Sequence, residues 1–477
     1  MDRKWRALIV VCVAIFMLLL DITVVNVALP DIQKELHASF TDVEWVVDAY
    51  ALMLATVMLN AGSLGDWLGR KRVFLAGIGL FTIASALCGA ATSPLFLNLA
   101  RGAQGIGGAI MFAVSLAILA QEFHGRERGT AFGIWGATVG LAVAIGPLVG
   151  GALTTWAGWR WIFFVNLPIG ALCIIVGWIV LHESRDEQHR GFDPVGFVTF
   201  TGGLFALVLF LLRGNDWHWG SGREIGLLVA SIVLLAAFTL FEWRRLEPMF
   251  EIRLFRVPTF TGAQIIAFVL AAGMFSMFLY LALYLQNVLH YSPIATGVRF
   301  LPLSVVSFFA APIAGRMMSR VPIRLLFGVG LALVGVALLL MHGVSVHSSW
   351  TTLLAGFIVG GVGIGIVNAP LAATAVSVVE PRRAGMASGI NNTFRQVGIA
   401  TGIAALGALL QSKAGSQAAA SGQGDPQAFV NGLNEILLVG AIVLFVGAVL
   451  AFLLVRRDDF VASGPQQQQA QPAADGA

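Results

Sequence analysis

The stretch ALIVVCVAIFMLLL (7–20), Asp21, ITVVNVAL (22–29) and then Pro30 sets a carboxylate inside an almost unbroken apolar run. At a rise of about 1.5 Å per residue, about 20 apolar residues in a helix cross the hydrocarbon of a bilayer. A carboxylate facing lipid at that depth is too costly, so Asp21 must face other helices or a wet cavity. The run therefore implies a bundle around itself. Asp21 reads either as a proton- or cation-binding group or as a structural carboxylate pairing a neighbouring helix.

Composition agrees. Of 477 residues, 58% are hydrophobic and 11% charged, against about 25% charged in soluble domains. This is the profile of an all-α polytopic membrane protein in contact with a lipid bilayer. The 55 glycines suit helices that pack closely in lipid. The net charge of +4 fits basic loops, not a nucleic-acid surface. Cys12, Cys88 and Cys173 all fall in apolar runs, which indicates neither a disulfide framework nor a metal cluster. Arg3, Lys4 and Arg6 precede the first run as in a signal peptide, but the run is too long and lacks a small-residue cleavage site, so a retained helix is expected.

Hydropathy marks about fourteen spans: 7–29, 43–64, 73–92, 95–120, 129–153, 162–182, 194–212, 224–243, 259–285, 294–317, 323–342, 350–379, 385–411 and 433–455. An even count puts both termini on one side. With that side cytoplasmic, the inner segments collect most of the arginines and lysines, among them Arg70, Lys71, Arg72, Arg244, Arg245, Arg316 and Arg320. The outer segments keep only Lys34, Arg160, Arg213, Arg223 and Lys413, so the positive-inside rule orients the chain in the inner (plasma) membrane. Three basic residues stay inside spans: Arg101, Arg299 and Arg395. The tail 458–477 is low-complexity and expected to be disordered.

The turn after the second span reads GSLGDWLGRKR (62–72), and the turn after the tenth reads GRMMSRVPIR (315–324), each preceded by alanine. They look like traces of a parallel repeat, with Ser319 where the first copy has Asp66. Gly62 and Gly69 permit a tight turn between helices. Asp66 can accept from backbone donors or from Arg70.

In these motifs the chain closely resembles the major facilitator superfamily, and within it the fourteen-span drug:proton antiporter branch. The 62–72 turn is similar to the superfamily's signature loop, and LDITVVNVALP (20–30) to the branch's first-span motif. RGAQG (101–105) resembles the arginine motif implicated in proton transfer. Gly136, Gly140, Gly146, Pro147, Gly150 and Gly151 resemble the antiporter motif of exporters. WRWIFFVNLP (159–168) and GMASGINNTFRQ (385–396) fit the same branch. The resemblance implies two six-helix halves, 7–182 and 259–455, with an inserted helix pair at 194–243. It implies a transporter, not an enzyme, that exports hydrophobic or cationic drugs by alternating access, using the proton gradient and no cofactor. Asp48 departs from the pattern, which more often has an uncharged polar residue there.

Several constellations are candidates for chemistry. Arg101, Gln104, Gly105 and Gly108 share one helical face, for which the family role is control of a nearby carboxylate; a packing clamp is the alternative. Asp48 is either a second cation-attracting group at the outer end of a cavity or a carboxylate in interfacial water. Gly140, Gly146 and Pro147 read as a gating helix or an ordinary small-residue contact. Met277, Tyr280 and Tyr284 recur along one face that suits an apolar or cationic aromatic ligand, although interfacial tyrosines are common. Asn26 and the polar side of the thirteenth span, Asn391, Asn392 and Arg395, complete the expected substrate cavity. No GxxxxGK[ST] run is present, so an ion gradient must supply the energy. Export of an endogenous lipid, siderophore or metabolite is the alternative cargo. A receptor or channel fits less well, because a passive pore needs no titrating Asp/Arg switch. The sequence leaves a periplasmic adaptor open.

Overall fold

In hydrocarbon every backbone N–H and C=O must be satisfied within the protein, which leaves helices as the form available to apolar runs of this length. The computed structural model describes residues 2–185, 193–217, 219–245, 250–380, 383–414, 425–456 and 459. The expected disordered tail, apart from Asp459, lies outside the described residues, as do 186–192 and 415–424. The described chain is helical: α1 Arg3–Glu35, α2 Phe40–Leu68, α3 Arg70–Gly89, α4 Pro94–Glu122, α5 Gly125–Ala157, α6 Trp161–Phe164, α7 Asn166–Val180, α8 Pro194–Trp217, α9 Gly222–Arg244, α10 Pro258–Leu270, α11 Met277–Leu283, α12 Pro293–Met317, α13 Ile323–Met341, α14 Leu354–Ser377, α15 Ala384–Ala414 and α16 Pro426–Leu454. Among the described residues, thirteen stretches are long and apolar enough to cross a membrane, one short of the number expected. The expected fifth span is α5, a helix of 33 residues in which the apolar stretch is the shorter Leu148–Ala157.

Two differences from the hydropathy reading have local causes. Helix α1 does not stop at Leu29 but runs through Pro30 to Glu35. Its end is held there by Glu35, which accepts from Trp159 Nε1 at 2.7 Å and pairs with Arg160. Helix α8 extends past residue 212 to Trp217, which brings Arg213 into the helix. Polar starts are capped as their sequences suggest: Ser39 and Asp42 form a reciprocal capping box on α2, and Ser93, Ser221 and Ser292 accept from the first turns of α4, α9 and α12.

The buried side chains gather into two large cores. One joins α1 to α5 with α7, around Phe74, Phe81, Phe123, Phe132 and Trp135. The other joins α10 to α16, around Phe327, Phe357, Phe429, Met274 and Leu437. A third, smaller core lies where α2 and α8 meet α10 and α15, with Leu59, Phe200, Phe260 and Ile390. The linker after the inserted pair belongs to it through Phe250, Leu254 and Phe255.

The two large cores meet along α2–α15 and α5–α12. Both seams depend on glycine. A Cβ on Gly62 would collide with the Gly385 carbonyl, and one on Gly385 would stand 2.5 Å from the Gly62 carbonyl oxygen. Gly129 and Gly315 block one another in the same way, and Gly133 lies where a Cβ would reach Pro312 Cα at 2.7 Å. These obstacles are backbone, which cannot rotate aside.

Gly315→Val should therefore lower stability by about 1–3 kcal/mol, the usual cost of overpacking. Gly79→Ala, with nothing within 4 Å of the new methyl, should leave it equal or slightly higher. Thermal unfolding of the purified proteins in detergent checks both; equal melting temperatures for Gly315→Val and wild type would contradict the tight seam.

Candidate functional site

Asp21 lies midway along α1 and is buried at 2% exposure. Its carboxylate takes three donors from two other helices. Arg101 Nη1 of α4 approaches Oδ2 at 2.5 Å. Gln104 Nε2, one turn on, donates to Oδ1 at 3.0 Å, and Asn166 Nδ2 at the start of α7 donates to the same oxygen at 3.1 Å. Arg101 is fully buried as well and spends its other donors on Gln104 Oε1 at 2.7 Å and the Val46 carbonyl at 2.9 Å. The guanidinium sits 4.2 Å from the Tyr50 ring centroid. Asn166 is held in turn by Ser85 Oγ at 3.0 Å, which donates onward to the Phe163 carbonyl.

The local sequence makes this approach possible. A Cβ at Gly105 would stand 2.5 Å from the Tyr50 carbonyl oxygen, and one at Gly108 would stand 3.0 Å from the Tyr50 hydroxyl. The small residues beside Arg101 thus let α2 lie against α4 and bring the Tyr50 ring under the cation. The Tyr50 hydroxyl itself has no hydrogen-bond partner among the described residues.

Asp66, at the end of α2, forms a second buried constellation. It pairs with Arg70 at 2.8 Å and also accepts backbone N–H groups from Gly385 at 3.1 Å and Met386 at 2.8 Å. Those amides are free donors in the first turn of α15, so a side chain from the first half caps a helix of the second. Gly69 makes the corner with φ of +109°, and Glu183 fills the space beside it while accepting from the Lys71 and Arg72 amides. Arg383, next to the capped turn, pairs with Glu251 of the linker.

The other expected residues are placed as follows. Asp48 is not part of the Asp21 network; its carboxylate meets Arg213 of α8 at 2.9 Å, and Glu44 meets the same arginine at 2.9 Å. Arg213 is 2% exposed and also lies over the Trp45 ring. Gly146 packs so closely on Thr23 of α1 that a Cβ would collide with the hydroxyl, whereas at Gly140 it would find ordinary contact with Ser307 at 3.5 Å. The side chains of Pro147 and Asn26 lie outside the described residues. Met277, Tyr280 and Tyr284 sit in the second large core. Both tyrosine hydroxyls are committed to backbone, to the Ile403 and Ser345 carbonyls at 2.6 and 2.8 Å. Asn391 donates to Gln264 Oε1 at 3.0 Å, Asn392 to the Ser388 carbonyl at 3.0 Å, and Arg395 to Asn368 Oδ1 at 3.3 Å.

Residue reading missed Ser85, Tyr50 and Arg213 as members of these sites. The signal for Arg213 was a charge directly after an apolar run, which a hydropathy window assigns to a loop. Ser85 in an apolar stretch carries no signal of its own.

The sequence matches the Major Facilitator Superfamily over residues 11–403. It is 34% identical over 414 residues to the tetracenomycin C resistance and export protein of Streptomyces glaucescens, covering 87% of this chain and 77% of that one. It is 36% identical over 462 residues to the puromycin resistance protein pur8 of Streptomyces alboniger, covering 95% and 92%. Among solved structures it is similar to the human organic anion transporter MFSD10 (TETRAN), with a TM-score of 0.69 over 94% of this chain and 100% of that one. At 14% identity that likeness speaks to the fold alone. The chain belongs to the Major Facilitator Superfamily: it is a multi-pass membrane protein of a transporter family.

Breaking one side of a buried ion pair leaves an uncompensated charge and costs about 3–5 kcal/mol. Asp21→Asn should therefore destabilise the protein through the stranded Arg101, and Arg101→Gln through the stranded carboxylate. The double variant should lose less than the sum, because the second change removes the orphan left by the first. Unfolding temperatures of the four proteins read the coupling; strict additivity would mean that the pair is energetically idle.

Proposed function

We propose that this protein is a proton-coupled antiporter that exports hydrophobic or cationic drugs and toxic compounds across the plasma membrane by alternating access. The observation that carries the reading is the buried Asp21–Arg101 pair with its two amide donors. Three relatives by sequence support the cargo class: two are named for resistance to tetracenomycin C and puromycin, and a third is the multidrug resistance protein Stp of Mycobacterium tuberculosis, 36% identical over 404 residues.

The proposed coupling step is a change of partners. Ionised Asp21 holds Arg101, Gln104 and Asn166 together and so ties α1, α4 and α7. A proton on Asp21 removes the counter-charge of Arg101, leaving the guanidinium with the neutral Val46 carbonyl, Gln104 and the Tyr50 ring. The helices that meet here then have reason to shift, and loss of the proton draws them back. A conformational cycle needs only that the two states hold the proton and the cargo with different free energies.

The Asp66 cap on α15 is proposed as the latch of the closed inner gate, with the Arg70, Lys71 and Arg72 end facing the cytoplasm and both termini on that side. Cargo release outward takes place while the latch is shut; its opening admits cargo from within.

In proteoliposomes with an imposed pH gradient, Asp21→Asn should lose uphill export of ethidium while still inserting in the membrane. If the variant concentrates the dye at the wild-type rate, the coupling group lies elsewhere. Asp66→Asn weakens a helix cap worth about 0.5–2 kcal/mol, which shifts the balance between closed and open latch by roughly 2- to 30-fold. Cysteine labelling at residue 63 should rise in this variant, with export slowed; unchanged labelling and rate would reduce Asp66 to a fold element.

A further inference from the structure

The two halves treat their embedded arginines differently. In the first half and inserted pair the two deeply buried span arginines meet carboxylates: Arg101 meets Asp21, and Arg213 meets Asp48 and Glu44. From Pro258 to Ser412 the chain contains a single acidic residue, Glu380, and it lies in the turn between α14 and α15. Besides Arg316 and Arg324 at the span ends, two arginines nevertheless sit further inside the spans of this region. Arg299 donates to the Ala295 carbonyl at 2.7 Å and lies flat on Tyr291, 3.5 Å from the ring centroid. Among the described residues, Arg395 has the neutral Asn368 Oδ1 at 3.3 Å and the face of Phe275 at 4.7 Å as its partners. It is partly, not fully, buried.

Arg395 also lies beside the seam between the halves. Its partner Asn368 is on α14 at the seam between the halves: a Cβ on Gly136 of α5 would touch Asn368 Cβ and the Ala369 amide, each at 3.7 Å. A cation in hydrocarbon without a counter-ion is costly, and such residues are kept where they serve a ligand or ion. A guanidinium offers planar paired donors suited to carboxylate or sulfonate, and Phe275 beside it offers a face for an aromatic ring.

We propose that Arg395, presented by Asn368 and Phe275, binds the acidic group of an aromatic cargo. This deepens the exporter reading and rests on it. It shifts the expected cargo toward acids: from Pro258 to Ser412 the described spans offer a cationic drug no carboxylate, Glu435 of α16 being the one acidic residue in the described spans of the second half, while Arg395 offers an acidic cargo a positive charge. Asp21 and Asp48 are already engaged by arginines.

The test uses two probes that differ by one charge: 8-anilinonaphthalene-1-sulfonate and the same molecule without its sulfonate, N-phenyl-1-naphthylamine. Binding to protein in nanodiscs is measured by equilibrium dialysis against protein-free discs. Arg395→Gln should weaken the sulfonate by about tenfold or more, the scale of a lost charge-assisted hydrogen bond, and leave the neutral probe unchanged. Arg395→Lys should keep part of the difference. Asn368→Asp, which supplies Arg395 with a counter-charge while leaving it in place, should weaken the sulfonate selectively. Equal loss of both probes, or no loss of either, overturns the anion site. Export of the two probes from proteoliposomes is followed in parallel. Binding that depends on Arg395 without pH-driven export of either probe sinks the exporter reading and leaves the anion site. Export with binding indifferent to Arg395 does the reverse.

Discussion

A full positive charge and a full negative charge placed together in hydrocarbon must complete each other's hydrogen bonds, and Asp21 with Arg101 imposes that demand on four helices at once. Carboxylate oxygens are filled by α4 and α7, and the guanidinium is filled by α4 and by a backbone carbonyl of α2. The ring of Tyr50 closes the fourth side. Because an unfilled partner here costs several kcal/mol, the relative depth of α1, α2, α4 and α7 is set within a fraction of a helical turn. The glycines of α4 follow from the same demand, since a side chain at Gly105 would push α2 and its carbonyl away.

The inserted pair is bound to the first half by related means. Arg213 of α8 lies between Glu44 and Asp48, one turn apart on α2, and Asn60 of α2 reaches Thr201 and the Phe197 carbonyl of α8. Phe200 and Leu204 then fill the groove beside α15 together with Leu59 and Ile390. Helix α8 therefore covers the side of the α2–α15 seam, and the ion pairs described for it run to α2.

How much of this could be read in the sequence depends on range. Asp21 demands partners by composition alone, and the face shared by Arg101, Gln104 and Gly105 follows from helical spacing. That Arg101 is the partner could not be read, because 80 residues separate the two and no pattern spans them. The turn at 62–72 announced an acid among cations, but not that Asp66 would cap a helix more than three hundred residues away. Spacing put Met277, Tyr280 and Tyr284 on one face, yet a face is not an environment: both hydroxyls end on backbone carbonyls inside the second core. The helix also changes to π turns at Ala271–Phe275 and Tyr284–Val288, which rotates everything beyond them relative to an ideal 3.6-residue repeat. The partner of Asp48 was not legible, since Arg213 was counted as a loop residue.

The paired glycine seams carry a mechanical consequence. Gly62 against Gly385 and Gly129 against Gly315 are places where one backbone rests on another with no side chain between. Interlocked side chains behave like meshed gear teeth: they must disengage before the surfaces can turn, and each disengagement is a barrier. Bare backbone contacts behave like plain bearings. Two of them, one on the α2–α15 seam and one on the α5–α12 seam, would let the halves roll with little friction, so that the resistance to motion is concentrated in the few polar contacts that lock it.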